Sequence, residues 1–432
     1  MDDKQEHAYN CIRDGKSILL TGPGGTGKSF FVAEFLRRMK MDKPTKRIAV
    51  TALTGCAAVL LGNKAKTIHS WAGIGLGKGT VQEIAANIRK SQKAIKRWLL
   101  TDILIIDEVS MMSGDMLDKL SDVGKVIRQN KAKPFGGMQV VLVGDFYQLP
   151  PIVSEEESLQ CWPALVQEVV QLEKIYRQND EVFQGLLGRI RRGQLGAGDK
   201  ELLLGRKGLS WKEDPIWPTL LFSRRATVDK INAANLAELE GEAFNWKAKT
   251  VFSAGAEGKG TPIKDRYPEE QLTRMIAAQD KDASYDVDLT LKVGAQVMLI
   301  ANMDTDHGLV NGSRGVVVDF ERGGAEPLPV VQFKNGVRMP IGRWSWSNAD
   351  EEDIARSQIP LRLAYAITIH KCQGATLDCG LVDIGKSTFE CGQAYVALSR
   401  VKSLEALYVW DFVESAIMAH PRVKRFYETL NS

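Results

Sequence analysis

Residues 22–29 read GPGGTGKS, the spacing G-x-x-x-x-G-K-S, and this pattern suits phosphate chemistry. Glycines at this density let backbone N–H groups turn inward around an anion. Gly22, Gly24, Gly25, Thr26 and Gly27 would form the cradle. Lys28 is then placed to reach the β- and γ-phosphates of a nucleoside triphosphate such as ATP, and Ser29 to ligate Mg²⁺. From average composition, a chance match in a chain of 432 residues is roughly a one-in-fifty event. The context also fits, with an apolar run before the loop and helical spacing after it. ILIIDEVS at 103–110 sets Asp107 and Glu108 at the end of a second apolar run. An Asp there can hold Mg²⁺ through water, and an adjacent Glu can act as general base on the attacking water. VLVGDFYQLPP at 141–151 ends a third run in a polar cluster, where Gln148 can contact the γ-phosphate or the lytic water. Pro150 and Pro151 stiffen the exit. Arg177 in LEKIYRQND and Arg400 in AYVALSRV could each bring a cation to the γ-phosphate. Taken singly, each reads as a surface ion-pair residue.

These residues need a scaffold that brings strand ends together. SILLT (17–21), RIAVT (47–51), ILIID (103–107) and MQVVLVGD (138–145) are short apolar runs alternating with helical spacing, as in FFVAEFLRRM (30–39). Continuous apolar strands alternating with helices predict an α/β fold with a parallel sheet covered on both faces, and such sheets bind ligands at the carboxyl ends of their strands. The reading divides the chain into a first α/β domain at 1–177, with a basic helical insertion at 72–97, and a second at 178–244 and 361–432. EVFQGLLGRIRR, TLLFS and RRATVDKINAANLAEL open the second domain; LRLAYAI, GLVDI and ALYVWDF complete it. Between them, 245–360 is glycine- and proline-punctuated, and VGAQVMLIAN, RGVVVDF and PVVQF read as antiparallel strands of a small inserted β-rich domain.

Composition sets outer bounds. Hydrophobic residues are 44% and charged residues 25% of the chain, ordinary for a globular protein. The N-terminus is polar and no apolar stretch approaches the length of a membrane span, so an intracellular place is expected: nucleus or mitochondrion in a eukaryote, cytoplasm in a bacterium or virus. A net charge of +4 permits nucleic-acid binding without arguing for it. Cys11, Cys56, Cys161, Cys372, Cys379 and Cys391 form no C-x-x-C pair and no zinc-like spacing with histidine, so buried or free thiols are expected.

Taken in order, the motifs resemble those of the Pif family (petite integration frequency) of DNA helicases. The resemblance covers nearly the whole chain. Its most specific stretch is DKLSDVGKVIRQNKAKPFGGMQVVLVGDFYQLPP (118–151). TALTGCAA (51–58), TIHSWAGIGLGKG (67–79), LKVGAQVMLIAN (291–302), LVNGSRG (309–315), ITIHKCQGATLD (367–378) and GQAYVALSRV (392–401) follow suit. The resemblance implies two RecA-like domains, with a small barrel inserted in the second and a wedge in the first. It also implies 5′-to-3′ movement on single-stranded DNA, driven by MgATP held between the two domains. It places Gln5 at the adenine, Arg177 and Arg400 at arginine-finger positions, and Gly374, beside Gln373, near the phosphates. Thr51, Thr54, Thr67 and His69 in the first domain, and Thr368, His370 and Lys371 in the second, fall on strand-contacting motifs. FSRRATVDKIN (222–232) matches more loosely, with Ser223 and Arg225 as contacts. Hydroxyls and amides on sugar–phosphate would grip without reading sequence. The chain starts almost at the adenine motif and so looks like a helicase core or a minimal member. Expected partners are single-stranded and forked or tailed duplex DNA and no membrane, with the protein monomeric and dimerisation on DNA left open. The residues alone leave open an ATP-gated remodeller of RNA or RNA–DNA hybrids without processive unwinding. Trp71 and Trp98 read as packing anchors, and His69 as a base-stacking or a structural side chain.

Overall fold

The computed structural model describes residues 1–62, 65–75, 77–151, 161–211, 214–252, 267–281, 283–304, 306–347 and 354–431. The Cys56 side chain and residue 76 of the glycine-rich stretch lie outside the described part. Two compact units form. One comprises Met1–Asp199, Glu390–Ser399 and Ile417–Ser432; the other comprises Lys200–Phe389 and Arg400–Ala416.

The first unit is built on a six-stranded parallel sheet of β1 (Ile18–Thr21), β2 (Ile48–Ala52), β3 (Lys66–Thr67), β4 (Ile103–Asp107), β5 (Gln139–Gly144) and β6 (Glu168–Gln171). The spatial order is β3-β2-β4-β5-β1-β6. Side chains alternate faces along each strand, and both faces are apolar. Ile18, Leu20, Ile103, Ile105, Val141 and Val143 pack against helices Asp3–Arg13 and Lys28–Asp42. Leu19, Leu104, Ile106, Val140 and Leu142 share a core with residues of helices Ile68–Ala72, Val81–Lys90, Gln92–Leu100 and Gly114–Ile127. Continuous apolar runs are thus the sequence mark of a sheet buried on both sides, as expected.

The basic stretch after residue 80 folds as two helices rather than one. Thr80 and Glu83 form a capping box at the first, and Ser91 ends it and caps the second by accepting from Ala94 N–H. Ile84, Ile88 and Trp98 join the sheet core. The Trp98 ring lies 4.9 Å from that of Trp71 and donates to Ala72 O at 2.9 Å, so both tryptophans are packing anchors.

The second unit contains a four-stranded parallel sheet of β7 (Thr219–Phe222), β18 (Ala366–Thr368), β19 (Gly380–Ile384) and β20 (Leu407–Phe412), ordered β18-β7-β19-β20. Antiparallel strands lie between β7 and β18 in sequence. β8 (Phe244–Lys247) pairs with β10 (Asp288–Leu291). β9 (Lys249–Phe252), β15 (Trp344–Ser347) and β16 (Ile354–Gln358) form a three-stranded sheet. β11 (Gln296–Leu299), β12 (Arg314–Glu321), β13 (Leu328–Phe333), β14 (Arg338–Pro340) and β17 (Leu361–Leu363) form a five-stranded one. Trp246, Leu289, Val297, Leu299, Phe333 and Leu361 share one core.

Two expectations change. LRLAYAI divides between sheets: Leu363 pairs antiparallel with Val297, and Ala366 pairs parallel with Leu220. Both halves are apolar, and hydropathy carries no mark of which sheet takes them. Residues 178–199, 390–399 and 417–431, which the sequence assigns to the second domain, pack in the first unit. Short helices advertise an apolar face but not the sheet that receives it; the ties that hold these three segments belong to the candidate site.

Candidate active site

β1, β4 and β5 are adjacent and parallel, so their carboxyl ends present Thr21, Asp107 and Gly144 side by side. The glycine-rich loop leaves β1 and enters helix Lys28–Asp42 through Gly27, which is left-handed (φ 82°) and gives the helix no side-chain cap. The first N–H groups of the helix are therefore left for an anion. A Cβ on Gly25 would stand 2.7 Å from Arg177 Cβ, and one on Gly27 would stand 2.9 Å from Gln5 Nε2. The loop is closed down onto both predicted residues. Gln5 is buried: its Oε1 accepts from Asp2 N–H in a capping box, and its Nε2 points to Thr26 O at 3.5 Å. The exposed Tyr176 ring also borders Gly27, and its hydroxyl donates to Asp2.

Lys28 Nζ donates to Gly22 O (2.7 Å) and Pro23 O (2.9 Å). Burial lowers its pKa, while the charges of Asp145, Glu108 and Asp107 oppose the shift. Asp107 is buried, and Glu108 follows in a left-handed backbone (φ 55°) with its N–H bonded to Asp107 Oδ1 at 2.9 Å. Burial and the neighbouring Glu108 charge push the Asp107 carboxyl up to about 7. A carboxyl destabilised in this way beside a second carboxylate, with only the Lys28 charge and the Glu108 N–H acting the other way, is chemistry that a divalent cation would relieve. Ser29 is exposed on the first turn of the loop helix, where its hydroxyl is open to such an ion. The donor set fits a magnesium-bound triphosphate. Gln148 is buried at the β5 exit, with its N–H on Asp145 O at 2.9 Å. A Cβ on Gly392 would stand 2.5 Å from Gln148 O.

Beneath this layer lies an ion pair that the sequence reading did not single out. Asp145, fully buried, receives Arg191 Nη2 at 2.7 Å and Nε at 3.0 Å. Burial pushes its pKa up, but the Arg191 charge and hydrogen bonds outweigh that and hold it below the ordinary range. Tyr395 OH accepts from Gly24 N–H at 2.7 Å, and Tyr427 OH lies 2.5 Å from Thr21 Oγ1. Arg177 and Gln178 both donate to Ser399 O at 3.1 Å. An aspartate ending an apolar strand, as Asp107 does, was the available signal for Asp145. Its side-chain partners Arg191 and Tyr427 lie 46 and 282 residues away, and no local pattern marks them.

In the second unit Arg400 is buried, with Nη1 donating to Ala375 O at 3.3 Å and its carbonyl accepting from Leu377 N–H. Gly374 is left-handed at φ 82°. The predicted strand contacts gather at carboxyl ends, as α/β sheets favour. Thr368 ends β18 and accepts from Lys371 N–H, with His370 part-buried and Lys371 exposed beside it. Ser223 follows β7 and donates to Ser387 O, and exposed Arg225 pairs with Asp229 at 3.5 Å. In the first unit Thr54 and Thr67 accept from Ala57 and Ser70 N–H as helix caps, and His69 is part-buried. Thr51 is different: it is fully buried and donates to Ile105 O at 2.7 Å, so its hydroxyl serves the sheet interior rather than a strand in solvent.

The five described cysteines are free thiols. Cys11 is buried as a free thiol, and its Sγ is 3.6 Å from His7 Nε2, one helical turn back, with Glu168 also close. Lys16 bridges that carboxylate at 3.0 Å, so the group is an ion pair with an adjoining thiol. Among the described residues no helix is long and apolar enough to cross a membrane.

Residues 1–195 match the model of PIF1-like helicases, and 286–320 match that of the 2B domain of DNA helicase Pif1. The ATP-dependent DNA helicase PIF1 of Xenopus laevis is 36% identical over 438 residues, an alignment that takes in all of this chain and 64% of the relative. The chain thus spans just under two thirds of that relative's length. The crystal structure of Pif1 helicase from Candida albicans superposes with a TM-score of 0.79 at 34% identity, covering 100% of this chain and 99% of that one. Pif1 helicase from Bacteroides in complex with ADP-AlF3 and ssDNA gives 0.65 at 28% identity, covering 100% and 97%. Loop, carboxylate pair, inserted antiparallel domain and end-to-end likeness agree, and the chain belongs to the PIF1-like helicase family.

Proposed function

We propose that this chain is an ATP-dependent DNA helicase that hydrolyses MgATP at Gly22–Ser29, moves 5′ to 3′ on single-stranded DNA and unwinds duplex ahead of it. The observation that supports this most is the meeting of Lys28, Asp107, Glu108 and Asp145 at the carboxyl ends of three neighbouring strands. Lys28 leaves its two loop carbonyls for the β- and γ-phosphates. Ser29, directly, and Asp107, through water, would hold Mg²⁺, which when bound neutralises phosphate charge. Glu108 takes a proton from the attacking water, and Gln148 orients that water. Arg177, against Gly25, brings positive charge to the γ-phosphate. Gln5 Nε2 recognises the adenine edge, and the exposed Tyr176 ring gives the base a face to stack on.

Family resemblance assigns Arg400 and Gly374 of the second unit to the same nucleotide. A bond to the γ-phosphate from the second unit would exist only before hydrolysis, so turnover would alternate two states of the molecule. Thr54, Thr67, His69, Ser223, Arg225, Thr368, His370 and Lys371 would hold sugar–phosphate with a grip that differs between states. Single-stranded and forked or tailed DNA are the proposed partners.

The test is ATP turnover with and without matched single strands of DNA and RNA. Stimulation by DNA is expected in the parent chain. Lys28→Ala should abolish it while retaining single-strand binding. Equal turnover in that variant would remove the phosphate-loop assignment, and stimulation by RNA alone would make the chain an RNA remodeller.

A further inference from the structure

We propose that Tyr427, on the C-terminal helix Pro421–Asn431, is a positioning residue of the nucleotide site, tying the start of the phosphate loop to the Asp145–Gln148 turn. The proposal rests on the ATPase reading above. No nucleotide motif lies within 20 residues of this tyrosine in the sequence, yet its side chain is 4% exposed and stands beneath the site.

Its hydroxyl meets three groups among the described residues. Thr21 Oγ1, on the residue before Gly22, lies 2.5 Å away. Phe146 N–H donates to it at 3.3 Å, and it donates to Asp145 Oδ1 at 3.3 Å. One arrangement satisfies all three: the threonine hydroxyl and the Phe146 amide donate, and the phenol proton goes to the carboxylate. Burial and the Asp145 charge keep the phenol well above its ordinary pKa, so it stays protonated and able to donate. The ring is equally constrained. It stacks on Tyr147 at 4.8 Å with 12° between planes, and the Arg191 guanidinium sits 4.5 Å from one ring centroid and 4.9 Å from the other. Phe426, the preceding residue, meets Phe146 edge-on at 5.4 Å.

One hydroxyl thus bridges the ends of β1 and β5. The two segments it joins carry Lys28's loop on one side and Gln148 on the other. The separation of a phosphate-binding loop from a water-orienting side chain matters to the chemical step more than to ground-state binding, because misplacement of reacting groups is felt in the transition state. Loss of the bridge should therefore fall on kcat. A ring that served packing alone would be replaced by phenylalanine without that signature.

Tyr427→Phe in the full chain keeps the stack and deletes the bridge. DNA-stimulated hydrolysis is measured over a range of ATP, together with single-strand affinity and thermal unfolding. We expect kcat to fall about fivefold, the size of one hydrogen bond, with KM for ATP and DNA affinity within about twofold of the parent. Thr21→Val removes the same bridge from the loop side and should give the same loss. Because both variants break one link, the double variant should lose little more than either alone. Parental kcat in Tyr427→Phe, a change confined to KM, or losses that multiply in the double variant would overturn the proposal. If Tyr427→Phe does not fold, Thr21→Val decides alone: reduced kcat supports the bridge and parental kcat refutes it. A parent chain without ATPase activity would instead overturn the reading on which the proposal rests.

Discussion

Glu108 holds a backbone conformation that side-chain-bearing residues seldom adopt, φ 55°, at the end of a buried strand. Such a conformation costs on the order of 1–3 kcal/mol and survives where the surroundings impose it. Here the Asp107 carboxylate holds the Glu108 amide, so one carboxyl of the pair is buried and the other part-exposed, as the proposed metal and base roles require. The Glu108→Gln chain should keep ATP affinity and lose turnover by roughly 10²–10⁴. Nucleotide binding and single-turnover hydrolysis would show it, and a rate within tenfold of the parent would take the base role from Glu108. At this scale the sequence was informative wherever chemistry is local. Lys28, Ser29, Asp107, Glu108 and Gln148 sit in short motifs whose spacing suggests the use proposed for them. Arg191, Tyr395 and Tyr427 act on the same loop and turn from a distance, and Arg191 looks in sequence like any basic residue near a helix end. Thr51 shows the converse: a motif position legible as a contact, whose hydroxyl bonds inside the sheet.

Elements carry the site by close approach. Gly392 begins the helix Gln393–Leu398 with φ 79°, and a Cβ there would lie 2.5 Å from Gln148 O and 2.7 Å from Tyr147 O. Gly392→Ala must therefore shift the Gln148 turn or the helix. We expect about 1–3 kcal/mol lost in urea unfolding, with a drop in turnover of at least about tenfold; unchanged kcat would mean the turn tolerates displacement. On the other face of the sheet, Trp98 is fully buried among Ile84, Ile88 and Leu104. Trp98→Ala should cost about 3–5 kcal/mol in the same measurement. A loss below about 1 kcal/mol would show the two helices to be an appendage rather than part of the core. Strands β1, β2, β4 and β5 of the first sheet and β7, β19 and β20 of the second are readable as apolar runs between turn signals; the short β3 and β6 are not, and β18 is hidden inside LRLAYAI. The placement of helix Glu181–Arg191 and of the C-terminal helix is not readable either, since amphipathic spacing fixes a buried face and leaves its partner open.

At the scale of the molecule, the described residues form two parallel sheets, one in each compact unit, with antiparallel strands inserted in the second. That architecture was legible from the order of motifs: nucleotide residues near the start, a change of texture near 245, and α/β pattern again at the end. The interleaving of units was not legible, because residues 390–399 and 417–432 return to the first unit on either side of a strand of the second. Such a return lets one chain place distant segments against the phosphate loop. The net charge of +4 is compatible with the proposed alternation between holding DNA and releasing it. Directional movement is the property that turns an ATPase into a helicase, and it is read most directly by strand displacement on duplexes with a 5′ tail, a 3′ tail or blunt ends. With ATP, the parent chain should release the strand from the 5′-tailed duplex and leave the other two intact, and Lys28→Ala should release none. Release from the 3′ tail alone would contradict the direction, and release from none, in a parent chain that hydrolyses ATP on DNA, would contradict the motor.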